Sequence, residues 1–599
     1  MMPIISLRPT FPTLPQNDPR PERRDASLAR ARSIYQFDFS YHDIGFTKRL
    51  PLCDRINPRW RLKAGFFAGT VALNEALSRL LSPESHYYSK QLRRLVWKLL
   101  HDYRLTAPIP SIPPPPDSDE GDVDKRKFYG PAEYMQLYRL IQPPEAVANF
   151  ALDWYFAYQR VAGTNPVLIT RARDQLPGRL SKSALAKLEK SLGKPVREAI
   201  ANKELYYVDF EILANLETSS PNGDFARQFL SAPIAFFARD PGQSALCPVA
   251  IKIDQPRKAA LFVPSDGAAW TMAKIAVQAA DSVHHGIVMH NVHCHLTMAW
   301  ITLATHRTLA PWHPVMILLS PHFTGTLFVN MLTKRLIEPG GNTILLQSTD
   351  LEGTLALLHR AMKRYRWNAS GPDRHFSERG VEKSNDLPCY PMRDDALAQW
   401  RATHAMVESY IELYYGSDDD VAGDTELQAW IAELQSETGA GLKDMGEVTD
   451  PEQAGTLKTV SGLVRLVAQI IHRASTFHTV INYSVYEFMG FAPNMPGALY
   501  APPPVANESY GRSDVLRMLP PMDQAFAQIL DTYLVGNLQT NRLGHYPPYH
   551  FRDPRVAPIL SRYRQQLDYL EGDIERLNLQ RPAPYDVLLP SRVAASIVV

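Results

Sequence analysis

Hydrophobic positions along this chain recur mostly at spacings of three and four, the period of a helix that faces a core. GFFAGTVALNEALSRLL and YYSKQLRRLVWKLLHDYRL, between about residues 60 and 105, carry that period. So do PAEYMQLYRLI, EAVANFALDWYFAYQRVAG, the block 268–310, ALAQWRATHAMVESYIELYYG and TVSGLVRLVAQIIHRASTFHTVINYSVYEF. LYYVDFEIL, APIAFFAR and PVAIKI predict short strands. Strands and helices do not alternate and no internal repeat is visible, so the pattern predicts a mainly α fold with one large domain over 128–599. Residues 1–127 read as an N-terminal extension: a Pro- and Arg-rich mobile arm over 1–32, a helical segment, and the linker PIPSIPPPPDSDEGDVDKRK (108–127), whose prolines forbid a helix interior.

Composition narrows the function by exclusion. The apolar fraction is 45% and the charged fraction 21%, an ordinary globular balance. With 64 basic against 62 acidic residues there is no electrostatic case for nucleic acid. The four cysteines, Cys53, Cys247, Cys294 and Cys389, lie far apart without a CxxC pair, so neither a disulfide framework nor a thiolate zinc site is indicated. A reducing compartment follows. The first residues lack the unbroken apolar stretch of a secretory signal, and no run approaches 18 apolar residues, which points to a cytoplasmic chain without a spanning helix.

Histidine distribution changes the picture. Eight of the 18 histidines fall between residues 284 and 322, inside an apolar helical pattern where buried imidazoles need partners. His285, His290 and His295 are each five residues apart. In an α-helix that spacing separates side chains by roughly 140°, wrong for a shared ligand. An i→i+5 π-turn would bring His290 and His295 onto one face, and such turns concentrate at functional sites. His478 and Asn482, four apart, share a face of a later apolar helix. The chain ends Ala-Ser-Ile-Val-Val, an apolar tail whose burial would carry the terminal carboxylate inward, where it needs a cation.

These elements together resemble the lipoxygenase family. The family spacing His-x4-His-x4-His-x17-His-x8-His is met at His285, His290, His295, His313 and His322. Around it stand Trp270 to Lys274, Ala304 to Leu309, His313-Pro314 and Leu318 to His322, with QRVAGTNP (159–166), LYYVDFEIL (205–213) and LYYGSDDDVAGDTELQAW (413–430) elsewhere. The likeness covers roughly residues 130–599. It implies a largely helical lipoxygenase catalytic domain of the bacterial or fungal type, without the N-terminal β-barrel of plant and animal relatives.

By that resemblance His290, His295, His478, Asn482 and the Val599 carboxylate hold a non-haem metal, iron with manganese as the alternative. His285, His313 and His322 become structural residues beside them, and Thr333 and Leu336 line a substrate tunnel. The implied reaction is abstraction of hydrogen from a bis-allylic methylene by metal(III)-hydroxide, followed by O2 addition to give a fatty-acid hydroperoxide. A hydroperoxide isomerase on the same site is the competing reading. The implied partners are a polyunsaturated fatty acid and O2, with a peripheral membrane contact and a monomeric chain. Departures from the family are Val599 in place of isoleucine, Thr333 in place of alanine or glycine, and the apolar or small residues Gly286, Ala299 and Val485 where plant enzymes carry polar groups.

Overall fold

The computed structural model describes residues 11–51, 54, 58–81, 130–218, 227–239, 245–337, 348–383, 386–447 and 455–599. Helices dominate, as the periodicity predicts. The two most apolar segments run through the middle. The first begins after Gly267 with Ala268–Val283, continues as a π-helix over His284–Leu296 and ends as Thr297–Thr308. Nearly every side chain of this run is buried, because other helices pack around it on all sides. The second is Val460–His472, entered by Thr459, whose hydroxyl accepts from the Gly462 amide at 3.0 Å, followed by a π-turn at Arg473–Phe477 and the helix His478–Tyr483.

Amphipathic helices form the outer layer. Leu351–Arg364 starts at Asp350, which accepts from the Gly353 amide at 2.7 Å, and turns Leu355, Leu357, Leu358 and Ala361 inward. Pro391–Ile411 packs against Val460–His472 and against the long helix Val556–Asn578. The three predicted strands are present as Leu205–Asp209, Ile234–Arg239 and Leu246–Lys252, flanked by the two-residue strands Thr170–Arg171 and Leu261–Phe262. All pair antiparallel with chain neighbours, and the register slips once, between Phe236 and Phe237.

Three expectations change. Residues 1–32 were expected as a mobile arm; within the described part, Pro21–Ile34 is a helix, here α1, packed on Thr297–Thr308. No apolar period marks α1, because what anchors it is a buried cation: Arg24 bonds Glu426 and, at 2.7 Å, Asp18. PAEYMQLYRLI is helical only over Pro131–Tyr134, with a 3-10 turn at Met135–Leu137. EAVANFALDWYFAYQRVAG breaks into Ala146–Asn149 and Asp153–Ala162. In both cases local period overstates continuity, since Tyr138 and Leu152 take extended conformations. The predicted helix Pro58–Leu81, here α2, lies against the helix Met522–Asn537. The segment YYSKQLRRLVWKLLHDYRL and the Pro-rich linker lie outside the described residues.

Candidate metal centre

The predicted π-turn is present and is longer than a single turn, spanning His284–Leu296. Widening the helix leaves carbonyls out of α register, and two side chains take them up. Asn291 Nδ2 donates to Gly286 O at 2.8 Å and Thr297 Oγ1 donates to Val292 O at 2.7 Å, each reaching back five residues. His290 and His295 consequently share a face, with ring centroids 4.5 Å apart.

A second π-turn, which no sequence signal announced, stands directly before His478. It turns the following helix so that the His478 ring lies 5.4 Å from His295 and 6.0 Å from His290, centroid to centroid. One nitrogen from each of His290, His295 and His478 falls within 4.8 Å of the others, and all three residues are buried. That is the span of donors around one ion. Asn482, one turn on and wholly buried, donates from Nδ2 to Val535 O at 2.9 Å. This bond fixes the amide so that Oδ1 is left over.

The leftover atoms define the site. His290 Nε2, His295 Nδ1, both ring nitrogens of His478 and Asn482 Oδ1 are buried without a hydrogen-bond partner. An unpaired buried polar atom costs about 1–3 kcal/mol; an ion taking one nitrogen from each ring and the Asn482 oxygen relieves most of that cost. Burial holds the His290, His295 and His478 imidazoles well below the ordinary histidine value, and each is depressed further by a neighbouring imidazole. Neutral rings offer lone pairs, the form in which imidazole ligates a metal. The main-chain oxygen of Val599 pulls the other way on His478, which brings the chain end to the same ring. The donor set therefore fits a divalent or trivalent ion of intermediate hardness.

The tail reaches this position through contacts that begin well before Val599. Leu543 N donates to Val593 O, Ala594 N to Thr479 Oγ1 and Ala595 N to Asn541 Oδ1, at 2.9, 3.1 and 3.1 Å. His322 Nδ1 donates to Ala595 O at 2.7 Å, Ser596 Oγ to Thr324 O at 2.8 Å, and Trp60 Nε1 of α2 to Val598 O at 2.6 Å. Gly325, at φ +84°, lets the tail lie close; a Cβ there would meet Ile597 O and Val598 Cα at 3.2 Å. Residues Val593 to Val598 are buried and Val599 half-buried.

The remaining predicted residues take distinct places. His285 Nε2 donates to Ile481 O at 2.8 Å, tying the two histidine-bearing helices together one residue before Asn482. His313 lies apart from the cluster; its Nε2 donates to Asp424 at 3.0 Å, while Asp424 also accepts from Tyr415 OH and caps the helix Thr425–Gln435. Thr333 is buried on Thr326–Ile337, a helix packed on the π segment, with its hydroxyl donating to Val329 O at 3.1 Å. The Leu336 side chain lies outside the described residues. Gly286, Ala299 and Val485 bring no polar side chain near the cluster; Ala299 packs with Tyr35, Leu303 and Leu327. Sequence reasoning missed Trp60, Thr479 and Asn541, whose only signal is polarity within apolar surroundings.

Comparisons with known proteins identify the family and the fold. A family model described as Lipoxygenase matches residues 140–582. The chain is 32% identical over 490 residues to a linoleate 9/13-lipoxygenase of Pseudomonas aeruginosa, covering 77% of this chain and 69% of that one. It is 32% identical over 456 residues to the polyunsaturated fatty acid lipoxygenase ALOX12 of Mus musculus, covering 75% and 66%. The chain thus spans about two thirds of the length of these relatives. Among solved structures, a coral 8R-lipoxygenase superposes with a TM-score of 0.82 at 25% identity, over 98% of this chain and 83% of that one. A manganese lipoxygenase of Gaeumannomyces graminis shares the fold, with a TM-score of 0.75 at 21% identity over 98% of this chain and 100% of that one.

Proposed function

Because this chain belongs to the lipoxygenase family, we propose that it is a non-haem metal dioxygenase that converts polyunsaturated fatty acids of the linoleate and arachidonate type to their hydroperoxides. The reaction balances without a further reductant: one bis-allylic C–H and one O2 become one C–O–O–H. The observation that carries the reading is the convergence of His290, His295 and His478 with the unpartnered Asn482 Oδ1.

We assign the ion to His290, His295, His478, Asn482 and the Val599 carboxylate, and propose iron, with manganese as the alternative. When bound, such an ion supplies one-electron redox chemistry at the methylene between two double bonds. The chain does the rest. The two π-turns aim three imidazoles at one point, and Val535 O holds the Asn482 amide so that its oxygen faces them. His322 and Trp60 hold the tail, so the carboxylate reaches the centre at little cost in chain entropy on binding. Ile287, Val288, Val292, Val480, Ile481 and Ile597 are buried beside the donors and keep the surroundings apolar and dry. Thr333, on the helix against the π segment, is proposed with Leu336 as tunnel wall.

We further propose a cytoplasmic monomer that meets membranes at its surface; the thiols of Cys294 and Cys389, unbridged among the described residues, support a reducing compartment. Oxygen uptake on linoleate and arachidonate, chiral separation of the products, and metal analysis with electron paramagnetic resonance test the proposal together. Consumption of O2 with a high-spin ferric signal is the expected result, and a manganese signal selects the alternative ion. Turnover only of added hydroperoxide, without O2 uptake, defeats the dioxygenase reading.

A further inference from the structure

We propose that α2 is a lipid-docking helix that seats the molecule on an anionic bilayer. The idea rests on the fatty-acid reading above, since such a bilayer is where that substrate is dissolved.

Like an ordinary amphipathic helix, α2 buries one side: Trp60, Ala64, Ala68, Val71, Asn74 and Ser78 face the protein. The opposite side is not polar. Leu62 is 75% exposed, Phe66 68% and Leu73 54%, spaced four and seven residues apart on one face. Single exposed apolar residues need no explanation, but three large ones in a line on one helix do. Gly65 and Gly69 lie between them, and no described residue stands within 4 Å of where their Cβ atoms would be, so the face is open among the described residues. A second element extends it. The backbone amides of Arg139, Leu140 and Ile141 all donate to Asn74 Oδ1, which holds Leu140, 47% exposed, beside the later turns of α2.

Charge identifies the occupant. Arg59 and Arg61 are exposed at the start of the helix, Arg139 is exposed beside its end, and no acidic residue occurs from Pro58 to Asn74. Apolar side chains framed by basic ones match the boundary between acyl chains and acidic headgroups. They do not match a second copy, which would bring the same arginines together. The chain following α2 is no better suited: residues 82–107 hold five basic and two acidic residues and would add like charge, and the acidic residues Asp117, Asp119, Glu120, Asp122 and Asp124 come with one apolar side chain, Val123, too little to cover Leu62, Phe66 and Leu73. The inner face of the same helix meets the tail, through Trp60 and the cluster of Trp60, Ala64, Leu538 and Val598. A bilayer seated on the outer face therefore lies one helix thickness from the chain end.

The test is sedimentation of the full, metal-loaded protein with vesicles of phosphatidylcholine alone or mixed with phosphatidylglycerol. Wild type is expected to bind the mixed vesicles roughly tenfold or more tightly than the neutral ones. Leu62→Glu with Phe66→Glu abolishes that binding, while the melting temperature, metal content and O2 uptake on linoleate dispersed below its micellar concentration stay unchanged. Arg59→Glu with Arg61→Glu, which leaves the apolar face intact, removes only the preference for phosphatidylglycerol. The proposal is overturned if wild type ignores both vesicles or if the Leu62/Phe66 variant binds as well as wild type. A wild-type dimer that the same variant converts to a monomer overturns it too, because a second copy then covers the face. Failure of the dioxygenase reading is read separately, as absent O2 uptake by a protein that still sediments with vesicles.

Discussion

One continuous helical run, Ala268–Thr308, carries two buried polar clusters that are chemical opposites. In the first, Asp281 takes Arg160 at 2.5 Å and Asn165 at 2.8 Å. Gln278 accepts from Arg160 and donates to Gln159 and to Asn494 O, and Asn494 donates back to Gln159. This cluster accounts for Gln159, Arg160 and Asn165 in the QRVAGTNP stretch. In the second, a few residues on, His290 and His295 join His478 and Asn482 with their inward atoms unpaired. Both clusters lie in the dry interior, where polar groups are costly unless satisfied. The first cluster pairs most of its polar atoms internally, leaving Arg160 Nε and Asn165 Oδ1 over, whereas the second leaves its convergent donors unpaired and draws stability from what binds them.

Four experiments would break or sharpen this contrast. His295→Ala or His478→Ala removes a donor from the open cluster; activity should fall on the order of 10⁴-fold with metal lost, and urea stability should drop to that of the metal-free wild type. Retention of full metal content would dissolve the distinction. Arg160→Met leaves the Asp281 carboxylate buried without its cation and should cost about 3–5 kcal/mol in urea unfolding, while metal per folded chain stays at the wild-type level. Loss of metal without loss of stability would reverse the roles of the two clusters.

Deleting Val599, or extending the chain past it, is expected to lower activity on the order of 10²-fold, with metal affinity measured by competition with a chelator. A C-terminally tagged protein of full activity would remove the carboxylate from the donor set. The smallest effect is the pH response of histidines outside the donor set. Burial holds His306 and His322 at about 4 and His472 at about 3, from an ordinary 6.5. The unfolded chain then binds more protons than the folded one between these values, so stability is full above pH 6.5 and is lost as pH falls. Each ring subtracts about 1.4 kcal/mol per pH unit in that window. Urea midpoints that do not move between pH 7 and pH 5 would contradict the neutral burial of these rings.

Some of this was legible in one dimension and some was not. The helical period foretold the core runs but not their interruptions near Tyr138 and Leu152, because period records which face is apolar and not whether the backbone stays helical. It also missed α1, whose anchor is a single buried arginine reaching Glu426, 402 positions away. The π-turn at His284–Leu296 could be deduced, since an i,i+5 histidine pair in an apolar helix has few other ways to share a face. The turn at Arg473–Phe477 has no such pair and stayed hidden.

The sequence by itself determined the helical architecture, the spaced histidines and the apolar tail, because these are properties of neighbours along the chain. Only the tertiary structure decided which polar atoms remain unpaired. Asn482 points its oxygen inward because Val535 O, 53 residues later, takes its other end. The tail lies against His478 because His322 and Trp60, 273 and 538 positions from their acceptors, hold it there. Whether a buried polar atom is satisfied depends on what lies across the core, and no local pattern records that.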